Sequence, residues 1–98
     1  MAKITLNIAT SAAELVGELT RHSIMEITNN SIRVLFKPSA TILDLEKLTH
    51  VDTAGLAWLF YLLEQAELHN CQLSFVNIPT KLDKLIHLSG VEGFLPVK

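Results

Sequence analysis

The 98-residue chain has a single cysteine, Cys71, so no disulfide can form within it. A lone thiol suits a reducing compartment, and no His-Cys cluster surrounds it. Cys71 is therefore read as a packing residue beside the next strand. Glycine (four) and proline (three) are scarce, which excludes a low-complexity or linker-like chain. Charge is sparse as well: Asp, Glu, Lys and Arg make up 18% of the residues and the net charge is −2. No concentrated basic surface can arise from that balance, so a nucleic-acid partner is not expected. The longest apolar run, Ala54 to Leu63, is too short to span a bilayer as a helix, and direct membrane insertion is not expected. Met1-Ala2-Lys3-Ile4-Thr5 enters alternating residues without the apolar stretch of a signal peptide. The chain is accordingly read as cytoplasmic, reaching a membrane only through a membrane-bound partner.

Catalytic motifs are also missing. There is no Walker A loop and no Gly-x-Ser-x-Gly. His22, His50, His69 and His87 are too widely spaced to form a metal-binding set, and neither metal nor cofactor is expected. Gly90-Val91-Glu92-Gly93 has the outline of a GxxG loop but carries an acid where a phosphate clamp needs a base. One chemical alternative stands. Asp44, Glu46 and Asp52 lie near one strand end, where an α/β sheet places its sites, and three carboxylates suit a hard cation. That alternative is a small-ligand or metal-binding enzyme using Asp44 and Asp52. As a turn residue, a solvated charge and a helix cap, the same three need no ligand.

What is present is apolar patterning: 49% of the residues are hydrophobic, too many for a disordered chain and enough for one domain spanning 1–98. Ile4, Leu6 and Ile8 alternate with Thr5, Asn7 and Ala9, the period of a half-buried strand. After Thr10-Ser11-Ala12, Leu15 to Leu19 reads as a second strand, antiparallel to the first, with Gly17 marking a bulge or a close backbone approach. Thr20 is placed as the cap of a helix starting near Arg21, with Ile24, Ile27, Val34 and Leu35 on its apolar face and Pro38 at its end. Thr41 to Leu45 reads as a buried, central strand. Ala54 to His69 is a long helix closed at Asn70, and Gln72 to Val76 is a further strand. Strand, helix and strand make a βαβ unit with parallel strands and a right-handed crossover. Thr80 to Leu88 is a last helix, stopped by Ser89-Gly90. The expected fold is α/β: a mixed sheet of about four strands in the order β-β-α-β-α-β-α.

The sharpest motif is Val51-Asp52-Thr53-Ala54-Gly55-Leu56. Asp52 or Thr53 stands at the N-cap of the long helix, where a side-chain oxygen meets free backbone N–H groups. A hydroxyl at that positive helix end is also well placed to carry a phosphate, which makes Thr53 the candidate phosphorylation site. Along the helix, Leu56, Leu59, Phe60, Leu63 and Ala66 are assigned to the sheet side. Ala54, Ala57, Trp58, Tyr61, Glu64, Gln65 and Leu68 are left on the outside. That face is poor in charge, and Trp58 and Tyr61 are neighbours at i and i+3. Clustered outer aromatics mark an interaction surface. The expected partner-binding residues are therefore Asp52, Thr53, Ala54, Gly55, Ala57, Trp58 and Tyr61, and the same face suits self-association.

These residues resemble a family, the STAS domains, whose fold is that of bacterial anti-sigma-factor antagonists. The resemblance rests on Ile42-Leu43-Asp44-Leu45 followed by Asp52-Thr53-Ala54-Gly55-Leu56, and on Gly17-Glu18-Leu19 in the second strand. It covers nearly the whole chain and implies a non-enzymatic binding domain. Two branches compete. Asp-Thr-Ala-Gly-Leu-Ala and the subsequent Leu-Leu-Glu-Gln-Ala look more like the MlaB branch, the STAS subunits of ABC transporters that maintain outer-membrane lipid asymmetry. That likeness implies a cytoplasmic ABC ATPase subunit as partner, touched by Thr53 and its neighbours. The other branch is an anti-sigma-factor antagonist, which usually carries Ser at the phosphorylatable position where this chain has Thr53.

Overall fold

A computed structural model describes residues 3–98. Strands β1 (Ile4–Ala9) and β2 (Ala12–Leu19) form an antiparallel hairpin closed by Thr10-Ser11. A single 3-10 turn at Ile24–Glu26 leads to helix α1 (Asn29–Leu35). Strands β3 (Ala40–Asp44) and β4 (Leu48–Val51) come next, then helix α2 (Thr53–Leu68), strand β5 (Gln72–Val76) and helix α3 (Thr80–Leu88). The sheet runs β1-β2-β3-β5, and β4 pairs with the far part of β2. All pairings beyond the hairpin are parallel, so β3 is central and pairs with β5 in parallel as expected.

Alternation decides which face is buried. The register aligns Ile4, Leu15, Leu43 and Phe75 on one face, where they join Leu59, Leu62 and Leu82 of the helices in a single core. The opposite face carries Thr5, Asn7, Glu14, Ile42, Asp44 and Ser74, none of them fully buried. One sheet layer with one helix layer accounts for extents of 32 × 31 × 19 Å. β3 is buried on that single face: Thr41 and Leu43 are inside, Ile42 and Asp44 half outside.

Gly17 is where the hairpin bends. Its φ is +113°, and a Cβ there would lie 2.3 Å from the carbonyl oxygen of Lys3. The β2–β4 register shifts between Gly17 and Glu18. The expected bulge and the expected close approach are thus both present.

Four expectations need correction. The sheet has five strands, not about four, because Leu48–Val51 pairs with β2. β2 begins at Ala12, which leaves two residues for the loop. No helix starts at Arg21. Thr20 and Ser23 instead close a turn, the Ser23 hydroxyl donating to the Glu18 carbonyl. Helix α1 is capped by Thr28, whose oxygen accepts from the Ser31 N–H at 3.1 Å, and Asn29-Asn30-Ser31 is its first turn. Finally, Trp58 is not on an outer face. It is 8% exposed and lines a groove together with Ile24, Ile27 and Ile32. The buried side of α2 runs through Gly55, Trp58, Leu59, Leu62 and Ala66, so Trp58 belongs to the core-facing stripe and the expected phase of the helix is corrected.

Both longer helices end in the same way. After α2, the Cys71 N–H bonds the Ala66 carbonyl at 2.8 Å and the Asn70 N–H bonds Glu67 at 3.1 Å, with Asn70 at φ +56°. After α3, Val91 and Gly90 repeat the pattern onto Ile86 and His87. This pair of bonds satisfies the last free carbonyls and turns the chain sharply. Cys71 is buried, as expected of a packing residue.

Candidate functional site

The site forms where β2 and β4 end and α2 begins. Asp52 is the N-cap, with extended backbone. One carboxylate oxygen accepts from the Gly55 N–H at 2.8 Å and the other from the Arg21 N–H at 3.1 Å. Asp52 also donates its own N–H to the Leu19 carbonyl at 3.3 Å. One side chain thus ties the helix start to the loop after β2, and Asp52 is the cap of the Asp52–Thr53 pair.

Burial pushes the Asp52 carboxyl up, but the N–H groups of Arg21, Gly55 and Ala54, with the Arg21 charge, outweigh it and hold the group below its usual value of 3.8. The helix end supplies the same preference for negative charge.

Gly55 is buried, with no room for a side chain: a Cβ would lie 2.0 Å from the Leu19 carbonyl oxygen. It lets the first turn of α2 press against the end of β2. Gly55, expected among the contact residues, lies beneath the turn and positions it. Trp58, being buried, is likewise a support beneath the surface.

The remaining predicted residues do come together. Thr53 is exposed, and among the described residues no hydrogen bond engages its hydroxyl. Ala57 and Tyr61 come at i+4 and i+8, both exposed, and Ala54 is half-buried beside them. Tyr61 is 40% exposed and shares a groove of about 430 Å³ with Met25, which is 88% exposed. Sequence reasoning misses Met25, because the helix expected from Arg21 counts only Ile24 and Ile27 of this segment on its apolar face. The surface is therefore a stripe, Thr53-Ala57-Tyr61, with an apolar flank at Met25.

The three carboxylates do not converge. Asp44 accepts from the Glu46 N–H at 2.9 Å and from the Asn77 amide at 3.2 Å, closing a different turn. Glu46 is exposed, and Asp52 is engaged in its cap. Among the described residues no three His, Cys, Asp or Glu side chains gather as metal ligands. The histidines are dispersed: His50 lies 3.4 Å from Glu18, while His69 and His87 each reach a helix carbonyl at 2.8 Å. Among the described residues no helix is long and apolar enough to cross a membrane.

Known proteins bear on this geometry. No curated protein sequence matches the chain. Solved structures do. An anti-sigma factor antagonist from Mycobacterium paratuberculosis superposes with a TM-score of 0.72 at 17% identity, covering 96% of this chain and 82% of that one. The anti-sigma factor antagonist SpoIIAA in its unphosphorylated form gives 0.69 at 17% identity, covering 97% and 87%. The Bacillus cell fate determinant SpoIIAA in its phosphorylated form gives 0.64 at 17%, covering 97% and 90%. At such identities the likeness is one of fold. The STAS domain family model matches residues 3–98, and this chain belongs to the STAS domain family.

Proposed function

We propose that the chain is a non-enzymatic docking subunit that grips a partner protein through the Thr53 turn and the outer stripe of α2. The observation that carries this reading is Thr53 itself. Its hydroxyl is exposed and unbonded among the described residues, yet it stands on a helix start fixed by Asp52 and Gly55. An interface gains when such a group is held rigid before binding. Tyr61 and Met25 supply the apolar flank that anchors the contact.

The partner we favour is the cytoplasmic ATPase of an ABC transporter that maintains outer-membrane lipid asymmetry, which would hold this chain at the membrane indirectly. Support comes from Asp52-Thr53-Ala54-Gly55-Leu56-Ala57 and Leu62-Leu63-Glu64-Gln65-Ala66, the segments that resemble MlaB. A second reading, an anti-sigma-factor antagonist switched at Thr53, is favoured by the likeness to SpoIIAA in both its forms. There a phosphate would add about two negative charges at the centre of the surface.

Affinity purification of the tagged chain from its own host separates the two. Recovery of an ABC ATPase with its membrane subunits supports the transporter reading; recovery of a kinase-like anti-sigma factor, with phosphate on Thr53, supports the switch. Recovery of neither, with unchanged composition when Thr53→Glu is the bait, overturns docking through this turn.

A further inference from the structure

The two edges of the sheet are treated differently. At β5, the Phe75 N–H donates to the Pro96 carbonyl and the Lys98 N–H donates to the Phe75 carbonyl, both at 2.8 Å, so residues 96–98 cover that edge. At β1 no described residue pairs on the outer side. Edge strands are usually blunted by charge, proline or a bulge. Ile4-Thr5-Leu6-Asn7-Ile8-Ala9 has none of these.

The register determines which groups are open. The Lys3 carbonyl accepts from Glu18 of β2, and the hairpin closes at Ala9 opposite Ala12. Alternate residues of an antiparallel strand turn both backbone groups to the same neighbour. Thr5, Asn7 and Ala9 therefore bond β2, while Ile4, Leu6 and Ile8 direct N–H and C=O outward. The same three residues carry the apolar side chains of β1; Ile4 is buried, but Leu6 and Ile8 are only half-buried.

We propose that β1 pairs with β1 of a second copy of this chain, antiparallel about a two-fold axis at Leu6. This register sets Leu6 against its counterpart and Ile4 against Ile8, every one with outward backbone groups, for about six N–H···O bonds in all. The half-buried Leu6 and Ile8 then meet an apolar row identical to their own. On the opposite face Thr5 meets Asn7. No like charges oppose each other, since Lys3 faces Ala9. The pairing uses the outer edge of β1 and does not rest on the reading given for Thr53.

The test is the mass of the chain in solution. Sedimentation velocity should show a dimer growing with concentration, and hydrogen exchange should slow at Ile4, Leu6 and Ile8 in step with it. Thr5→Lys with Asn7→Lys, both on exposed side chains, should give a folded monomer by circular dichroism and sedimentation. Thr5→Glu with Asn7→Glu should do the same, and mixing the two should restore a dimer of opposite charges. A wild-type chain that stays monomeric at millimolar concentration overturns the proposal. So does a dimer that persists in both charged variants, or one whose exchange leaves those three N–H groups unprotected.

Discussion

Two turns in this molecule are built around a carboxylate, and only one of them sets beside it an exposed hydroxyl that is unbonded among the described residues. After β3, Asp44 accepts from Glu46 and Asn77 and closes a connection. After β4, Asp52 accepts from Gly55 and Arg21 and in doing so starts a 16-residue helix. The difference lies in the residues on the C-terminal side of each carboxylate. Behind Asp52 comes an exposed hydroxyl and then a glycine that brings the helix onto β2. Behind Asp44 come Leu45, which is buried, and Glu46, which is solvated. A capping acid alone is therefore not a candidate site; the neighbours it fixes in place are what make the Asp52 turn one.

The largest way to break the contrast is Gly55→Ala. A methyl group 2.0 Å from the Leu19 carbonyl meets backbone, which cannot swing aside as a flexible side chain would. The turn must move, at a cost of about 3 kcal/mol or more in urea unfolding. Next come the carboxylates. Asp52→Ala should cost about 1–2 kcal/mol, as a lost cap does. Asp44→Ala, which opens no helix, should cost roughly half as much in the same assay. Equal losses would show that the two turns are energetically alike.

Acid sharpens the comparison further. The Asp52 carboxyl is held below 3.8 in the folded chain, so the unfolded chain binds more protons across that range. The stability it contributes is complete above the unfolded value and is lost as pH falls through the folded one. The gap in unfolding free energy between wild type and Asp52→Asn should therefore close on acidification. A gap independent of pH would mean that the charge of Asp52 does not matter to the cap.

The smallest effect on folding should come from Thr53→Glu. The side chain is exposed at a helix start that welcomes negative charge, so stability should stay within about 0.5 kcal/mol. Affinity for the captured partner, measured by calorimetry, should nonetheless fall by about tenfold or more.

The capped turn, the hairpin with its bend at Gly17, and the strand after Asn70 were all legible in the sequence. Each rests on a local rule that one or two residues satisfy. β4 escaped because Leu48-Thr49-His50-Val51 is only four residues long, and Leu48 alone is buried. The burial of Trp58 escaped for a different reason. Helix α2 is apolar on nearly every side, so its periodicity carries no phase, and a residue's exposure depends on the chain that packs over it. The buried stripe runs through Gly55, Trp58, Leu59, Leu62 and Ala66, and the helix before it begins at the Thr28 cap and not at Thr20. Two hydroxyl residues could each cap a helix; only tertiary packing selects between them.

The turn after α2 has a use of its own. The Cys71 thiol donates to the Thr41 hydroxyl at 3.4 Å, and Thr41 donates to the Leu35 carbonyl at 2.9 Å, linking the start of β5 to β3 and the end of α1. Cys71 is the sole thiol of the chain and is 6% exposed. A thiol reagent can reach it only while these three elements are parted. The rate at which Cys71 is labelled is therefore a clock for that local opening, one the protein carries without any added probe.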